Sequence, residues 1–182
     1  MTKFNAHIFR LNITISFFLL PLLLHSQILK TYSYAGFSIN LSSKWVLKSE
    51  STVNSPLFAF LKPSNVYLGI SLTKIPSGSN PIISNSEASK IKPEMMAALK
   101  QRGVIISKFS LIASTFLNKK CFQTKAIIKD PEYLNGILQH YNTIQFIHNG
   151  YLFNIVSNIP VSNNSLKEID FINKQLETII FF

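Results

Sequence analysis

Asn149-Gly150 constrains this chain more than any other pair of residues in it. Both residues accept a positive φ, which a two-residue type I′ turn requires at both central positions, and that turn has the twist of a β-hairpin. A two-residue loop sets Ile147 opposite Leu152, Phe146 opposite Phe153 and Ile144 opposite Ile155. Side chains alternate across a strand, so Ile144, Phe146, Phe153 and Ile155 fall on one face. Such a face must be buried against a second layer, because apolar surface is driven out of water.

The C-terminal segment supplies a cover. Leu166, Ile169, Ile172, Leu176 and Ile179 repeat at helical spacing, an uncharged stripe of five large aliphatic side chains. Ser165 and Glu168 have the spacing of a capping box, and Asp170 and Lys174 form an i,i+4 pair on the wet side. The spacing predicts a helix docked on the hairpin's apolar face and indispensable to the fold.

Upstream, the pattern alternates between the two periods. Phe37, Ile39 and Leu41 line one face of a half-buried strand; Trp45-Val46-Leu47 opens the next. Leu57 to Leu61, between Pro56 and Pro63, and Val66 to Ile75 read as two more strands. Pro76 to Ile83 is a polar loop. A helix follows: Ser84 and Glu87 have capping-box spacing, and Ala88, Ile91, Met95, Ala98 and Leu99 form its stripe up to a stop at Gly103. Met95-Met96 reads as core and not as a cofactor box. Pro93 clashes with the carbonyl four residues back, so a kink, or a start near Lys92, is expected. Phe109 to Leu117 and Cys121 to Lys129 are strands joined by a turn at Asn118, the second closed by Asp130-Pro131. Strands, helix, strands, helix make an α+β fold with an antiparallel sheet. Neither a repeat nor a linker divides it.

The N-terminus is of a different character. Lys3 and Arg10 precede the apolar run Leu11 to Leu24, which ends at His25-Ser26-Gln27. Positive, apolar, then small and polar is the order of a secretory signal peptide. The run is short of the roughly 20 residues that span a bilayer, and Pro21 lies within it. Cleavage is expected after Ser26, leaving one domain over residues 27–182, exported to the periplasm or beyond. Retention as an anchor is the alternative.

Of 18 basic and eight acidic residues in the 182, that leader holds two basic ones and no acid, so the net charge falls from +10 to +8. A basic balance favours peripheral contact with anionic surfaces; export argues against nucleic acid. The lone Cys121 excludes a disulfide framework and a multi-cysteine zinc module.

Taken in order, the chain shows a leader, Gly36-Phe37-Ser38-Ile39-Asn40-Leu41, Lys44-Trp45 opening a strand, a helix after a polar loop, a strand meander, and an amphipathic helix ending Thr178-Ile179-Ile180-Phe181-Phe182. Over roughly residues 30–182 this layout resembles the PsbP-like superfamily, which includes the extrinsic PsbP protein of photosystem II, a yeast Ran-binding nuclear import factor and exported bacterial proteins. The resemblance implies an α/β/α sandwich, a central antiparallel sheet with helices on both faces. It also implies an accessory or binding role and not catalysis. No functional residue carries over; Phe37 and Trp45 read as core packing.

Residue chemistry points the same way. The chain lacks a G-x-S-x-G elbow, a Gly-rich phosphate loop and an H-E-x-x-H helix. His140 and His148, on one strand, would stand about 26 Å apart at about 3.3 Å per residue, too far for one metal. His148, beside the turn, reads as a solvated residue, and Asp130 with Glu132 as turn residues. No catalytic, cofactor or metal residue is assigned. Lys119, Lys120, Lys125 and Lys129 are the densest basic group, either a contact for an anionic partner or gatekeepers at a sheet edge.

The expected function is thus a non-catalytic module, without a cofactor, that binds a protein or another envelope component. A deep pocket with two or more titratable side chains would count against it. Two alternatives stay open. One is a carrier of a small apolar molecule, needing a cavity of about 300 Å³ lined by Phe and Ile. The other is an enzyme whose residues meet only in space, with Cys121, His140 and Asp130 as the pieces.

Overall fold

The hairpin forms with the register its turn dictates. In the computed structural model, β8 (Leu138–His148) and β9 (Tyr151–Pro160) pair antiparallel, with Ile144, Phe146 and Ile147 opposite Ile155, Phe153 and Leu152. Asn149 and Gly150 have φ of 49° and 76°. The structure describes residues 29–34, 36–48, 56–62, 64–78, 81–132 and 134–182. The expected leader and its cleavage point lie outside the described residues.

Around the hairpin stand β3 (Trp45–Leu47), β4 (Leu57–Leu61), β5 (Val66–Lys74), β6 (Ile105–Phe116) and β7 (Lys119–Lys129). They form one seven-stranded antiparallel sheet in the order β3-β4-β5-β9-β8-β7-β6. A second sheet of three strands pairs β1 (Leu29–Tyr34) and β10 (Ile180–Phe181) with β2 (Phe37–Ser42). Two helices, α1 (Asn85–Gln101) and α2 (Ser165–Leu176), complete an α+β fold among the described residues. β1 and β10 escape the pattern reading, being flanked by few polar breaks. β6 begins four residues before Phe109, at a bulge between Ile106 and Lys108.

The hairpin's apolar face is the centre of the main core. Phe146 and Phe153 stack at 5.2 Å, and Phe181 of β10 stands edge-on to both at 5.2 and 5.3 Å. Phe37, Ile39 and Leu41 of β2 are fully buried in the same cluster, with Ile172, Leu176 and Ile179. Trp45 is buried against Phe171, ring centroids 6.3 Å apart. Polar ties lock α2 onto β2: Gln175 Oε1 accepts the Ser42 N–H at 2.7 Å, and Thr178 Oγ1 accepts the Asn40 N–H at 2.9 Å.

Three expectations for the helices are corrected. Leu166 is not in the stripe; it is 79% exposed, because α2 begins at Ser165 and its first turn overhangs the sheet. Ser165 is no cap either. Its buried hydroxyl accepts the Ser162 N–H at 2.7 Å and ties the turn before the helix, leaving Asn164 at the cap position without a side-chain bond. In α1, Pro93 does not set the start: the helix runs unbroken from Asn85, with Ser84 accepting the Glu87 N–H at 3.2 Å. α1 ends as foreseen, Gly103 N–H bonding to Lys100 O and Val104 N–H to Leu99 O, a Schellman motif. Its half-buried Leu99 packs on a second cluster of Val104, Ala126 and Ile128.

His148 is a further correction. Its ring lies 5.5 Å from Phe181 and 6.2 Å from Phe153, and its Nδ1 is 3.2 Å from Lys119 Nζ. Strand alternation puts it on the apolar face, so β10 shields it from water. Burial first, and the Lys119 charge second, push its pKa down from 6.5.

Two tests follow from this packing. Truncation before Ser165 should give an unfolded or aggregating chain, and Leu176→Ala should cost about 2–5 kcal/mol in a thermal or denaturant melt. Lys174→Asp, which breaks the exposed 2.9 Å pair with Asp170, should leave the melting temperature nearly unchanged. For His148 the folded state favours the neutral ring. Its contribution is fully present above about pH 6.5 and is lost as the pH falls below that value toward the lower folded pKa. Wild type should therefore lose more stability than His148→Phe between about pH 7.5 and about pH 5.5.

Candidate functional site

The opposite face of the large sheet has a different chemistry. Residues paired across an antiparallel ladder share a face, and their neighbours in sequence take the other. Phe58, Gly69, Val156, Thr143 and Thr124 therefore form one row, and Phe60, Tyr67, Asn158, Tyr141 and Ala126 the next. α1 and the chain after β7 wall this face in, and a cleft of about 300 Å³ remains.

Gly69 opens the middle of that cleft. A Cβ there would stand at ordinary contact distance, 3.6 Å from the Phe58 ring, so the aromatic lies close over the strand and any side chain longer than alanine's would press on it. Glycine inside a strand is a mark of close approach by another group. Phe58 and Tyr67 meet at 5.8 Å on one side. Leu99 and Arg102 of α1 stand on the other.

The cleft also holds Gln139, Asn154 and Asn158. Gln139 is fully buried and Asn158 is 5% exposed. Gln139 Nε2 and Oε1, Asn154 Oδ1 and Asn158 Oδ1 are buried with no hydrogen-bond partner in the structure. Each such group costs about 1–3 kcal/mol, so several in one place call for a reason.

Arg102 is the C-terminal cap of α1. Its guanidinium reaches Asp130 at 3.2 Å and Glu132 at 3.1 Å. Asp130, at the end of β7, is buried and also accepts the Glu132 N–H at 3.0 Å. Four side chains with a titratable group, Arg102, Asp130, Tyr67 and Tyr141, thus line the cleft, the feature that would argue against a non-catalytic module. Arg102 and Asp130 are paired with each other, and the lining also includes the hydroxyl of Ser71.

The proposed catalytic pieces do not converge. Cys121 lies on the other face of β7, buried against the apolar core, where burial pushes its thiol pKa up. Continuing the β7–β8 ladder places it opposite Phe146, six residues from His140, about 20 Å along the strand. Asp130 is in the cleft, on the opposite side of the sheet. Asp130 and Glu132 do come together, as partners of Arg102. Among the described residues no group of three or more His, Cys, Asp or Glu could hold a metal ion.

The four lysines follow the length of β7. Lys119 and Lys120 start the strand and Lys129 ends it, about 33 Å away at about 3.3 Å per residue. β7 lies between β6 and β8, so these are not edge gatekeepers. Lys119 and Lys120 border an open groove of about 550 Å³ past Pro81, Ile82 and Ile83. Lys119 also lies over the Phe181 ring at 5.1 Å.

Sequence reading missed Arg102, Gln139, Asn154, Asn158 and Gly69. Gln139, Asn154 and Asn158 look like ordinary outward polar positions. The usable signal was Gly69, the one residue without a side chain in an otherwise well-patterned strand. Arg102→Met should leave Asp130 buried and unpaired, costing about 1–3 kcal/mol in denaturant unfolding. Adding Asp130→Asn, which keeps the Glu132 N–H acceptor, should recover most of the loss.

No protein-family model matches the chain, and no curated protein does. Solved structures do. Cyanobacterial PsbP (CyanoP) from Synechocystis sp. PCC 6803 is 10% identical, with a TM-score of 0.58 over 87% of this chain and 96% of that one. A Bacteroides thetaiotaomicron structure is 18% identical, with a TM-score of 0.51 over 84% of this chain and 48% of that longer one. The Saccharomyces cerevisiae Ran-binding protein Mog1p is 7% identical, with a TM-score of 0.51 over 86% of this chain and 96% of that one. At these identities the likeness is one of fold: the protein has the fold of PsbP and Mog1, as its strand and helix order foretold.

Proposed function

We propose that the protein is an exported, non-catalytic binding module that holds a component of the cell envelope in the cleft between α1 and the large sheet. The observation that carries this reading is the set of buried, unpartnered amide groups around a cleft whose lining charges, Arg102 and Asp130, are paired with each other. Such a lining is built to grip and not to react. An accessory role is in keeping with the PsbP and Mog1 fold, one example of which is a Ran-binding protein.

The reading includes a leader over residues 1–26, cleaved after Ser26, and one domain over residues 27–182. It also includes the full layered arrangement, a central sheet with a helix on each face. Supporting that layering, α1 packs near Ala126 and Ile128, while α2 packs near Ile144 and Ile155 in the alternate register. Lys119, Lys120, Lys125 and Lys129 are proposed as a peripheral contact for an anionic surface, supported by the exposure of the last three.

An apolar cargo fits less well. The cleft reaches the volume, but an apolar guest would leave Gln139 and Asn158 unpaired. The test is retention of envelope material by the immobilised protein. Gly69→Leu fills the cleft and should abolish retention while the thermal melt stays cooperative. Equal retention by wild type and this variant would remove the cleft from the reading.

A further inference from the structure

We infer that the group seated in the cleft is a neutral, hydroxyl-bearing sugar unit. This rests on the cleft being the seat, and goes beyond it to the chemistry of the occupant.

Among the residues lining the cleft, the unpartnered atoms are three acceptors (Gln139 Oε1, Asn154 Oδ1 and Asn158 Oδ1) and one donor group, the Gln139 Nε2 amide; the unpartnered Thr124 and Thr143 hydroxyls lie on the same face but outside the lining. A matching ligand must present mostly donors, with at least one acceptor. The two ends of an amide are told apart only by their surroundings, so the ligand should tolerate either orientation. A hydroxyl donates and accepts, and several hydroxyls on one ring satisfy both demands.

Charge narrows the choice. Arg102 is shared by Asp130 at 3.2 Å and Glu132 at 3.1 Å, so the lining offers no free cation for a carboxylate or phosphate, and the second carboxylate, Glu132, lies outside the lining. The remaining polar groups are neutral amides and hydroxyls. Neutral polar groups favour a neutral polar guest, since a charged one would lose its hydration without a counter-charge.

Shape completes the case. Phe58 and Tyr67 wall one side, their centroids 5.8 Å apart. A pyranose has a C–H face that packs on an aromatic ring and a rim of hydroxyls that reaches amides. A cleft of about 300 Å³ lies at the small end of ligand sites, which suits one ring unit and not a long chain.

The experiment is a titration of the ¹⁵N-labelled protein followed by NMR. The probes are glucose, galactose and N-acetylglucosamine at millimolar concentration, then cadaverine as a cationic amine and indole as an apolar ring. The expected result is a saturable shift of the Gln139, Asn154 and Asn158 side-chain amide signals with at least one sugar. Gln139→Leu and Asn158→Leu should each weaken that sugar about tenfold, the scale of one lost hydrogen bond. A shift with cadaverine or indole but with no sugar would overturn the sugar assignment and leave the cleft as a seat. Silence with every probe would overturn both. Equal sugar affinity in the two leucine variants would overturn the assignment to these amides.

Discussion

The stack of Phe146 on Phe153 holds the rest of the molecule in place. It sits on the hairpin set by Asn149-Gly150, and three other elements meet on it: Phe37 of β2, Phe181 of β10 and, through Ile172 and Leu176, the helix α2. These come from opposite ends of the described chain. The small sheet gains its third strand because β10 returns to β2, Ile180 and Phe181 lying opposite Ser38 and Phe37. The buried Gln175 and Thr178 bonds then fix α2 on the same strand.

Covering one face so thoroughly releases the other for a different use. With the apolar residues of β4, β5, β8 and β9 committed to the main core, their alternate positions can carry amides and hydroxyls. Solvent would ordinarily satisfy them. Here Leu99, Arg102 and Asp130 stand beside them in the cleft, and Gln139 and Asn158 are buried. The cleft is the consequence of a mixed aromatic and polar sheet face that is partly covered.

How much of this is legible in the sequence depends on the range of the interaction. The hairpin register, the α1 cap at Ser84 and the Asp170–Lys174 pair are local, and each stands as the letters imply. β10 is two residues long and forms only because β2 is near, so no local pattern reveals it. Ser165 and Leu166 were misread because the same spacing suits a cap or a tied turn, and only docking decides between them. The cleft was invisible for a related reason: an outward polar residue and a roofed polar residue look alike until the roof is placed. Arg102 shows this well, since its partner Asp130 lies 28 residues away.

The central claim is that the amides of the cleft are kept for a ligand and not for the fold. The most direct measurement is the unfolding free energy of Gln139→Leu and Asn158→Leu in denaturant without any added ligand. Replacing a buried, unpaired polar group by an apolar one of similar size removes a desolvation cost. The account therefore predicts stability equal to or above wild type for both variants. A loss of about 1–3 kcal/mol in both would show that these amides hold the structure together, and would contradict it.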